Sequence, residues 1–461
     1  MFSGFLWRRM PSSISVIGIG KLGAPMAACF AARGFQVKAV DLNSRKVSDI
    51  NSGVAPVHEP GLEELIRESG SRLRASENIP EAVNNSDVTF VVVGTPSDTS
   101  GGFSLQYVLP TCEAVGRAIA TKKSFHLVVL TSTVMPGSTG GAVLAALERA
   151  SRKRCGTDFG LCYNPEFIAL GTVIRDFYNP DFLLIGESDP RSGEMLADIY
   201  KKVCKNSPSI ARMNFINAEI TKLAVNTYIT TKISYANMLA RLCEKLPEAD
   251  VNVVTDALGL DTRIGAKYLK GAVSYGGPCF PRDNRALAAL ASRVGASSGL
   301  AEATDMFNRA QIKLLAETIK GHHSEGEAIG ILGLTYKPNT DVVEESFGLL
   351  LAQELSSANL EVIVFDPSTD AARALTNFKN VRVAASAQVC IAASGVVVLA
   401  TPWKEFRELR ANLWARDDSC RVVIDCWRAL THLDGTDGVH YIKLGFGGSA
   451  EKPVGVSSSA D

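Results

Sequence analysis

Val16-Ile17-Gly18-Ile19-Gly20-Lys21-Leu22-Gly23 is a G-x-G-x-x-G set between a short apolar run and a longer amphipathic segment. Glycines at these spacings let a strand turn tightly into a helix. They also bring the backbone close to a pyrophosphate and aim the helix N-terminus at it. Alone the motif is weak, because any glycine-rich turn can match it. The next apolar run, 37–41, strengthens it by ending on Asp41, about 20 residues further on. A carboxylate there bonds the ribose hydroxyls of a dinucleotide and repels a 2′-phosphate, which points to NAD rather than NADP. Arg45 and Lys46 fall close enough to the adenine ribose to act there too.

Outward from this motif, short apolar runs at 14–17, 37–41, 88–93, 127–131 and 182–185 alternate with helical segments such as 24–32 and 61–68. That alternation predicts a βα repeat and a parallel sheet. It stops near Asn206, where Pro208 breaks the chain. From about Asn217 to Leu246 there is neither Gly nor Pro, and apolar residues recur at helical spacing. A helix that long, capped by Asn217 and stopped at Pro247, spans roughly 45 Å and suits a connector or a subunit interface. Helical segments continue to about Lys320. Runs at 328–332, 361–365, 395–400 and 421–424, with a helix at 346–358, then restart the βα pattern. The predicted fold class is α/β: two doubly wound Rossmann-like lobes joined by a helical central region with a long connecting helix. The expected divisions are a tail at 1–13, a dinucleotide-binding domain at 14–206, a central dimerisation region at 207–320, a second Rossmann-like domain at 321–450 and a tail at 451–461.

Bulk properties narrow the partners. The 461 residues carry 48 Lys plus Arg and 48 Asp plus Glu, so no overall field attracts nucleic acid or a membrane surface. An anionic ligand must be held by locally placed cations. The ten cysteines form no CxxC pair and no Cys/His cluster of zinc spacing, which reads as a reduced, cytoplasmic chain with no metal site. No apolar run reaches the roughly 18 residues of a membrane span.

Several constellations suit chemistry. Cys279 lies in Tyr275-Gly276-Gly277-Pro278-Cys279-Phe280-Pro281-Arg282-Asp283. A lone cysteine is most often a small buried hydrophobe. Here two glycines and two prolines impose a tight backbone around the thiol, and a helix starting at Asp283 would put both side chains on one face. Lys222 and Asn226 stand one helical turn apart. They are either a solvated face or a cation and amide poised for an oxyanion. Glu166 in Tyr163-Asn164-Pro165-Glu166-Phe167, and Thr133 in Ser132-Thr133-Val134-Met135-Pro136-Gly137, each follow a strand end, where active sites of open α/β sheets gather.

From Ile14 to about Gly445 the sequence resembles the UDP-glucose/GDP-mannose dehydrogenase family. The matches are the three glycines, Asp41, Glu59-Pro60-Gly61-Leu62, Gly94-Thr95-Pro96, Ser132-Thr133-Val134 and Asn164-Pro165-Glu166-Phe167. They continue through Lys222-Leu223-Ala224-Val225-Asn226, Arg263-Ile264-Gly265, the Cys279 segment and Tyr336-Lys337-Pro338-Asn339-Thr340-Asp341. The resemblance implies an NAD-dependent enzyme that oxidises C6 of a nucleotide sugar twice at one site. Cys279 holds the aldehyde as a thiohemiacetal and then the acid as a thioester. It implies that Lys222 and Asn226 stabilise oxyanions, that Asp283 orients water or Lys222, and that Glu166 and Thr133 place and activate the hydrolytic water. It assigns NAD to Gly18, Ile19, Gly20, Lys21, Leu22, Gly23, Asp41, Lys46, Thr95, Thr133, Glu166 and Arg282. Around the sugar nucleotide it puts Phe167, Ile168, Lys222, Asn226, Arg263, Tyr268, Lys270, Gly276 and Lys337. Arg263 would reach in from the partner of a homodimer or higher homo-oligomer.

Within the family the Cys279 segment is nearest the UDP-glucose 6-dehydrogenase type, with GDP-mannose and UDP-N-acetylhexosamines as alternatives. Three positions depart from the family pattern: Leu170 where a second Glu is common, Glu344 where Arg is common, and Asp425-Cys426-Trp427-Arg428 in place of Asp-x-Arg-Asn. A β-hydroxyacid dehydrogenase shares the glycine loop, the following Pro25-Met26 and a Lys/Asn helix pair. It needs neither the cysteine nor a second α/β lobe. A catalytically dead NAD-sensing protein would have no use for Cys279, Lys222, Asn226 and Asp283 together.

Overall fold

In the computed structural model the strands form where β-branched and aliphatic residues cluster. Residues 11–368, 371–375, 378–416 and 419–448 are described. The tails expected at 1–13 and 451–461 fall outside these residues except at 11–13, where Ser13 already opens the first strand. Two compact units partition the chain: one runs up to Ala224 and adds Ala289–Gly295, the other comprises Val225–Ala288 and the chain from Ala296 onward.

The first unit contains β1 (Ser13–Ile17), β2 (Gln36–Val40), β3 (Leu73–Ser76), β4 (Val88–Val91), β5 (His126–Leu130), β6 (Phe159–Tyr163), β7 (Phe182–Glu187) and β8 (Ser209–Met213). They form one sheet in the order β3-β2-β1-β4-β5-β6-β7-β8, parallel except where β7 runs against β6. Its first six members show the 3-2-1-4-5-6 order of a dinucleotide-binding fold, with the switch point between β1 and β4. Alternate side chains feed two cores. Ile14, Val16, Val88, Phe90, Leu127 and Val129 pack on one face with Phe30 of the helix Gly23–Ala32, and Ile17, Val91, Val128 and Leu130 on the other. The βα alternation therefore extends past Asn206 to Met213, because Pro208 precedes β8 instead of ending the sheet.

The second unit repeats the plan. β9 (Ala328–Leu332), β10 (Val362–Phe365), β11 (Val381–Val383), β12 (Ser394–Leu399), β13 (Arg421–Asp425) and β14 (Val439–Lys443) form an all-parallel sheet, β11-β10-β9-β12-β13-β14. This is again 3-2-1-4-5-6. The glycine geometry is repeated as well. In the first unit a Cβ on Gly23 would stand 1.8 Å from the Gly18 carbonyl oxygen, and in the second a Cβ on Gly348 would stand 2.0 Å from that of Gly333. Both turn glycines have positive φ, 100° and 102°. The difference is that residues 334–347 intervene in the second unit, and this insertion carries Lys337.

The helix Phe215–Cys243 runs from the first unit into the second. Its cap is Asn214, whose side chain accepts from the Asn217 N–H at 3.0 Å, so Asn217 lies inside the first turn and is not itself the cap. The helices Val251–Leu260, Phe280–Val294 and Gly299–His322 follow it in the central region. No helix among the described residues is long and apolar enough to cross a membrane.

Candidate active site

The cofactor cradle is built by close approach. Gly18 could not carry a side chain, since its Cβ would lie 2.4 Å from the Val92 carbonyl oxygen. Gly20 is the opposite case: a Cβ there meets no atom within 4 Å. Asp41, just beyond β2, accepts from the Ile19 N–H at 2.8 Å and the Asn43 N–H at 2.9 Å, with Lys46 Nζ 3.8 Å away. A tight glycine crossing, an open approach at Gly20 and a carboxylate beside the loop fit a dinucleotide. Thr95, Thr133 and Glu166 follow β4, β5 and β6, which are successive neighbours of β1 in the sheet. These positions therefore share the C-terminal edge where such folds bind ligands.

Glu166 is half-buried, with its carboxyl turned inward. Its Oε1 lies 2.8 Å from the Tyr200 hydroxyl, which stands 2.5 Å from Asn164 Oδ1. Burial pushes the Glu166 carboxyl up to about 7, against the opposing pull of the Tyr200 hydrogen bond and Lys222. The buried Lys222 ammonium donates to the Glu166 backbone oxygen at 2.7 Å and lies 4.5 Å from the centre of the Phe167 ring. Glu166, Phe167 and Lys222 thus form one cluster in the first unit.

In the second unit Cys279 is exposed and stands at the start of the helix Phe280–Val294. Its carbonyl accepts the first intrahelical bond, from the Asp283 N–H at 2.8 Å. Asp283 is buried. Its Oδ2 accepts from Asn226 Nδ2 at 2.6 Å, and its Oδ1 lies 3.5 Å from Arg282 Nε. Asn226, Arg282, Asp283 and Cys279 are therefore brought together. The segment before the cysteine is pinned from several sides. Gly276 abuts the Glu345 carbonyl so closely that a Cβ would come within 2.2 Å of it. Gly277, at φ 84°, donates to the Glu344 carbonyl at 3.0 Å and faces the Tyr336 ring. Position 344 thus serves the cysteine loop through its backbone, which any residue supplies.

The remaining sugar-nucleotide candidates are placed separately within this unit. Arg263 is exposed and forked onto Asp261 at 2.6 Å, while Lys270 pairs with Asp256 at 2.6 Å. Tyr268, at φ 65°, sets its ring edge-on to Phe280 with centroids 6.4 Å apart. Lys337 Nζ lies 5.6 Å from the centre of the Tyr336 ring, the same ring that faces Gly277.

Several supporting residues escape a reading of local pattern. Asn237, on the long helix, accepts from the Ala272 N–H and donates to the Val273 carbonyl, both at 2.8 Å. Asn308 does the same for the N–H and carbonyl of Tyr275, both at 2.9 Å. Each clamp satisfies two buried backbone groups that would cost about 1–3 kcal/mol apiece if unpaired. In the first unit, buried Glu219 accepts from the Gly137 and Thr139 N–H groups and so fixes the loop after Thr133. Glu59, quoted above only as part of a motif, accepts from Gly171 at 3.0 Å and holds the loop after Glu166.

Three models of the UDP-glucose/GDP-mannose dehydrogenase family match in order: its NAD binding domain at residues 12–204, its central domain at 216–310 and its UDP binding domain at 330–432. The chain belongs to this family. It is a nucleotide-sugar dehydrogenase with an NAD-binding domain. It is 35% identical to the UDP-glucose 6-dehydrogenase AglM of Haloferax volcanii over 92% of this chain and 98% of that one. It is also 35% identical to a GDP-mannose 6-dehydrogenase of Pseudomonas aeruginosa, over 78% and 82%. Among solved structures, a UDP-glucose dehydrogenase from Pyrobaculum islandicum matches with a TM-score of 0.85 and 33% identity, covering 96% of this chain and all of that one. Family membership favours a nucleotide-sugar dehydrogenase over the β-hydroxyacid dehydrogenase reading.

Proposed function

We propose that this nucleotide-sugar dehydrogenase oxidises the C6 alcohol of UDP-glucose to the carboxylate through a thioester on Cys279. The observation that carries the reading is the Cys279 segment: an exposed thiol at a helix N-terminus, on a backbone pinned at Gly276 and Gly277, with buried Asp283 bound to Asn226 one turn along. The helix end favours negative charge on the sulfur. UDP-glucose is preferred because the two UDP-glucose dehydrogenases cited are matched over almost their full length, and because the Cys279 segment resembles the UDP-glucose type.

Gly18, Gly20, Gly23 and Asp41 would hold NAD, which would supply the hydride acceptor for both oxidations. The thiol of Cys279 adds to the C6 aldehyde, forming a C–S bond and placing its proton on the new hydroxyl. Oxidation of that carbon leaves a thioester. Water then adds to the acyl carbon, its proton passes to Glu166, the C–S bond breaks and the thiolate leaves. Lys222 and Asn226 stabilise the oxyanions, Asp283 holds Asn226, and Thr133 places the water. Lys337, on the insertion that replaces a second pyrophosphate turn, binds the UDP phosphates. A panel of nucleotide sugars assayed for NADH release tests the substrate. Highest kcat/KM with UDP-glucose supports the reading, and preference for GDP-mannose or a UDP-N-acetylhexosamine overturns it.

A second copy of the chain covers the long helix in the same reading. Tyr228, Tyr235, Met238 and Leu242 recur at spacings that share one face, and all four are exposed in the single chain. Light scattering that gives a dimer or larger mass supports this, and a monomer contradicts it.

A further inference from the structure

The proton inventory around Glu166 does not close if its carboxyl is ionised. Asn164 Nδ2 donates to the Leu184 carbonyl at 2.9 Å, which fixes the orientation of the amide and leaves Oδ1 as an acceptor only. The Tyr200 hydroxyl, fully buried at the other side of that amide, has one proton and two oxygen neighbours: Asn164 Oδ1 at 2.5 Å and Glu166 Oε1 at 2.8 Å. With Glu166 ionised, both neighbours are acceptors and one buried contact has no hydrogen in it. With Glu166 protonated, the chain closes. Glu166 donates to Tyr200, Tyr200 to Asn164 Oδ1, and Asn164 Nδ2 to Leu184, so each of the three contacts contains a hydrogen.

We propose that Tyr200 and Asn164 form a hydrogen-bond switch that keeps Glu166 protonated in the resting enzyme and supports its anion during thioester hydrolysis by rotation of the Tyr200 hydroxyl. The inference rests on the reading of Glu166 as the group that accepts the proton of the hydrolytic water. Tyr200 is a positioning residue: it acts on water only through Glu166. When Glu166 gives its proton to solvent and becomes the base, the Tyr200 O–H turns from Asn164 to the carboxylate, so one donor serves two protonation states.

The other titratable groups around Glu166 leave this logic intact. Lys222 donates to the backbone oxygen of Glu166 and lies over the Phe167 ring, and its charge opposes the effect of burial without cancelling it. Burial pushes the Cys29 thiol up to about 12 and the Cys204 thiol up to about 11, so both stay neutral. Tyr200 itself is driven well above its ordinary value, by burial first and by Glu166 second, and keeps its proton throughout.

The test is the pH profile of acyl-enzyme hydrolysis, followed by rapid quench and intact-protein mass from about pH 5 to about pH 9. Tyr200→Phe removes the hydroxyl that donates to the Glu166 anion and moves the midpoint up by about one to two pH units. Asn164→Ala removes the competing acceptor and moves it down. Opposite shifts are not produced by general loosening of the site. An unmoved midpoint in Tyr200→Phe, or shifts of the same sign in both variants, overturns the switch. Glu166→Gln isolates the underlying reading, because a wild-type profile in that variant shows that Glu166 does not take the proton. The switch is then judged by infrared difference spectra of wild type against Glu166→Gln. A protonated carboxyl band that titrates near neutrality, and higher in Tyr200→Phe, supports it, whereas a carboxylate band at pH 6 in the resting wild type overturns it.

Discussion

Replacing Gly20 by alanine should separate binding from folding, because the geometry predicts opposite behaviour for two glycines of one motif. Gly20 does not have a positive φ, and a methyl there meets no protein atom within 4 Å. Gly20→Ala therefore costs no strain in the protein without NAD, and the stiffer unfolded chain raises stability by about 0.4–1 kcal/mol. The methyl does enter the space through which a pyrophosphate would approach the loop. A phosphate oxygen bonds a backbone N–H at about 2.9 Å, and a methyl carbon that forces it back forfeits one or two charge-assisted bonds of about 1.5–3 kcal/mol each. Affinity for NAD should fall at least about tenfold. Gly23→Ala is the control. Its Cβ would lie 1.8 Å from the Gly18 oxygen, so the helix Gly23–Ala32 must retreat from β1, and overpacking of this kind costs about 1–3 kcal/mol or more before any cofactor is added. The assays are calorimetric NAD titration and urea unfolding without NAD. Gly20→Ala binding NAD within about twofold of wild type, or unfolding as early as Gly23→Ala, would refute the assignment of the space over Gly20 to the cofactor.

NAD should be used with higher kcat/KM than NADP, and Asp41→Asn should narrow the ratio by about tenfold, a loss of about 1.4 kcal/mol of discrimination; equal use of both cofactors by the wild type would show that Lys46 outweighs the carboxylate. Glu166→Gln should let the acyl-enzyme accumulate as added mass, whereas Leu170→Glu should change turnover less than about threefold, because the site is already built without that carboxylate. The raised Glu166 carboxyl also predicts a stability difference. A carboxyl whose folded pKa is about 7 contributes stability that is complete below its unfolded value near 4.5 and is lost as pH rises through about 7. Wild type should therefore lose stability relative to Glu166→Gln between pH 5 and pH 8, by roughly 2–3 kcal/mol, and parallel pH–stability curves would contradict this. Lys337→Ala should raise KM for the nucleotide sugar about tenfold with little change in kcat, and a fall in kcat at constant KM would move Lys337 to the reacting carbon.

Much of the fold was legible because buried parallel strands are continuous apolar runs and the glycine motif marks the first crossing. Among the strands outside the runs quoted, β6 is interior and was marked only by the motif that follows it, whereas β3, β8, β11 and β14 are the outer strands of the two sheets. Each is partly exposed, as in the Ser-Ile-Ala-Arg-Met of β8, because an edge strand has one neighbour and incomplete cover. The candidate chemical side chains stand out in the sequence as well, since Cys279, Asp283, Lys222 and Glu166 sit in dense local motifs. What holds them does not. Tyr200 reaches Glu166, Glu59 reaches Gly171, and Asn237 and Asn308 reach the loop before Cys279, all across long stretches of chain. A buried Asn or Tyr inside a helical pattern reads as ordinary helix until its partner is known. The cap at Asn214 in place of Asn217 shows the same limit at short range, since both are good caps and only the helix start decides.

The most direct test of the central claim is the number of NADH formed per molecule of UDP-glucose consumed, measured for the wild type and for Cys279→Ala. A thiol that carries the sugar through both oxidations at one site predicts two NADH per sugar from the wild type and loss of that stoichiometry in Cys279→Ala, with NAD binding retained. One NADH per sugar from the wild type, or full double oxidation by Cys279→Ala, would contradict it.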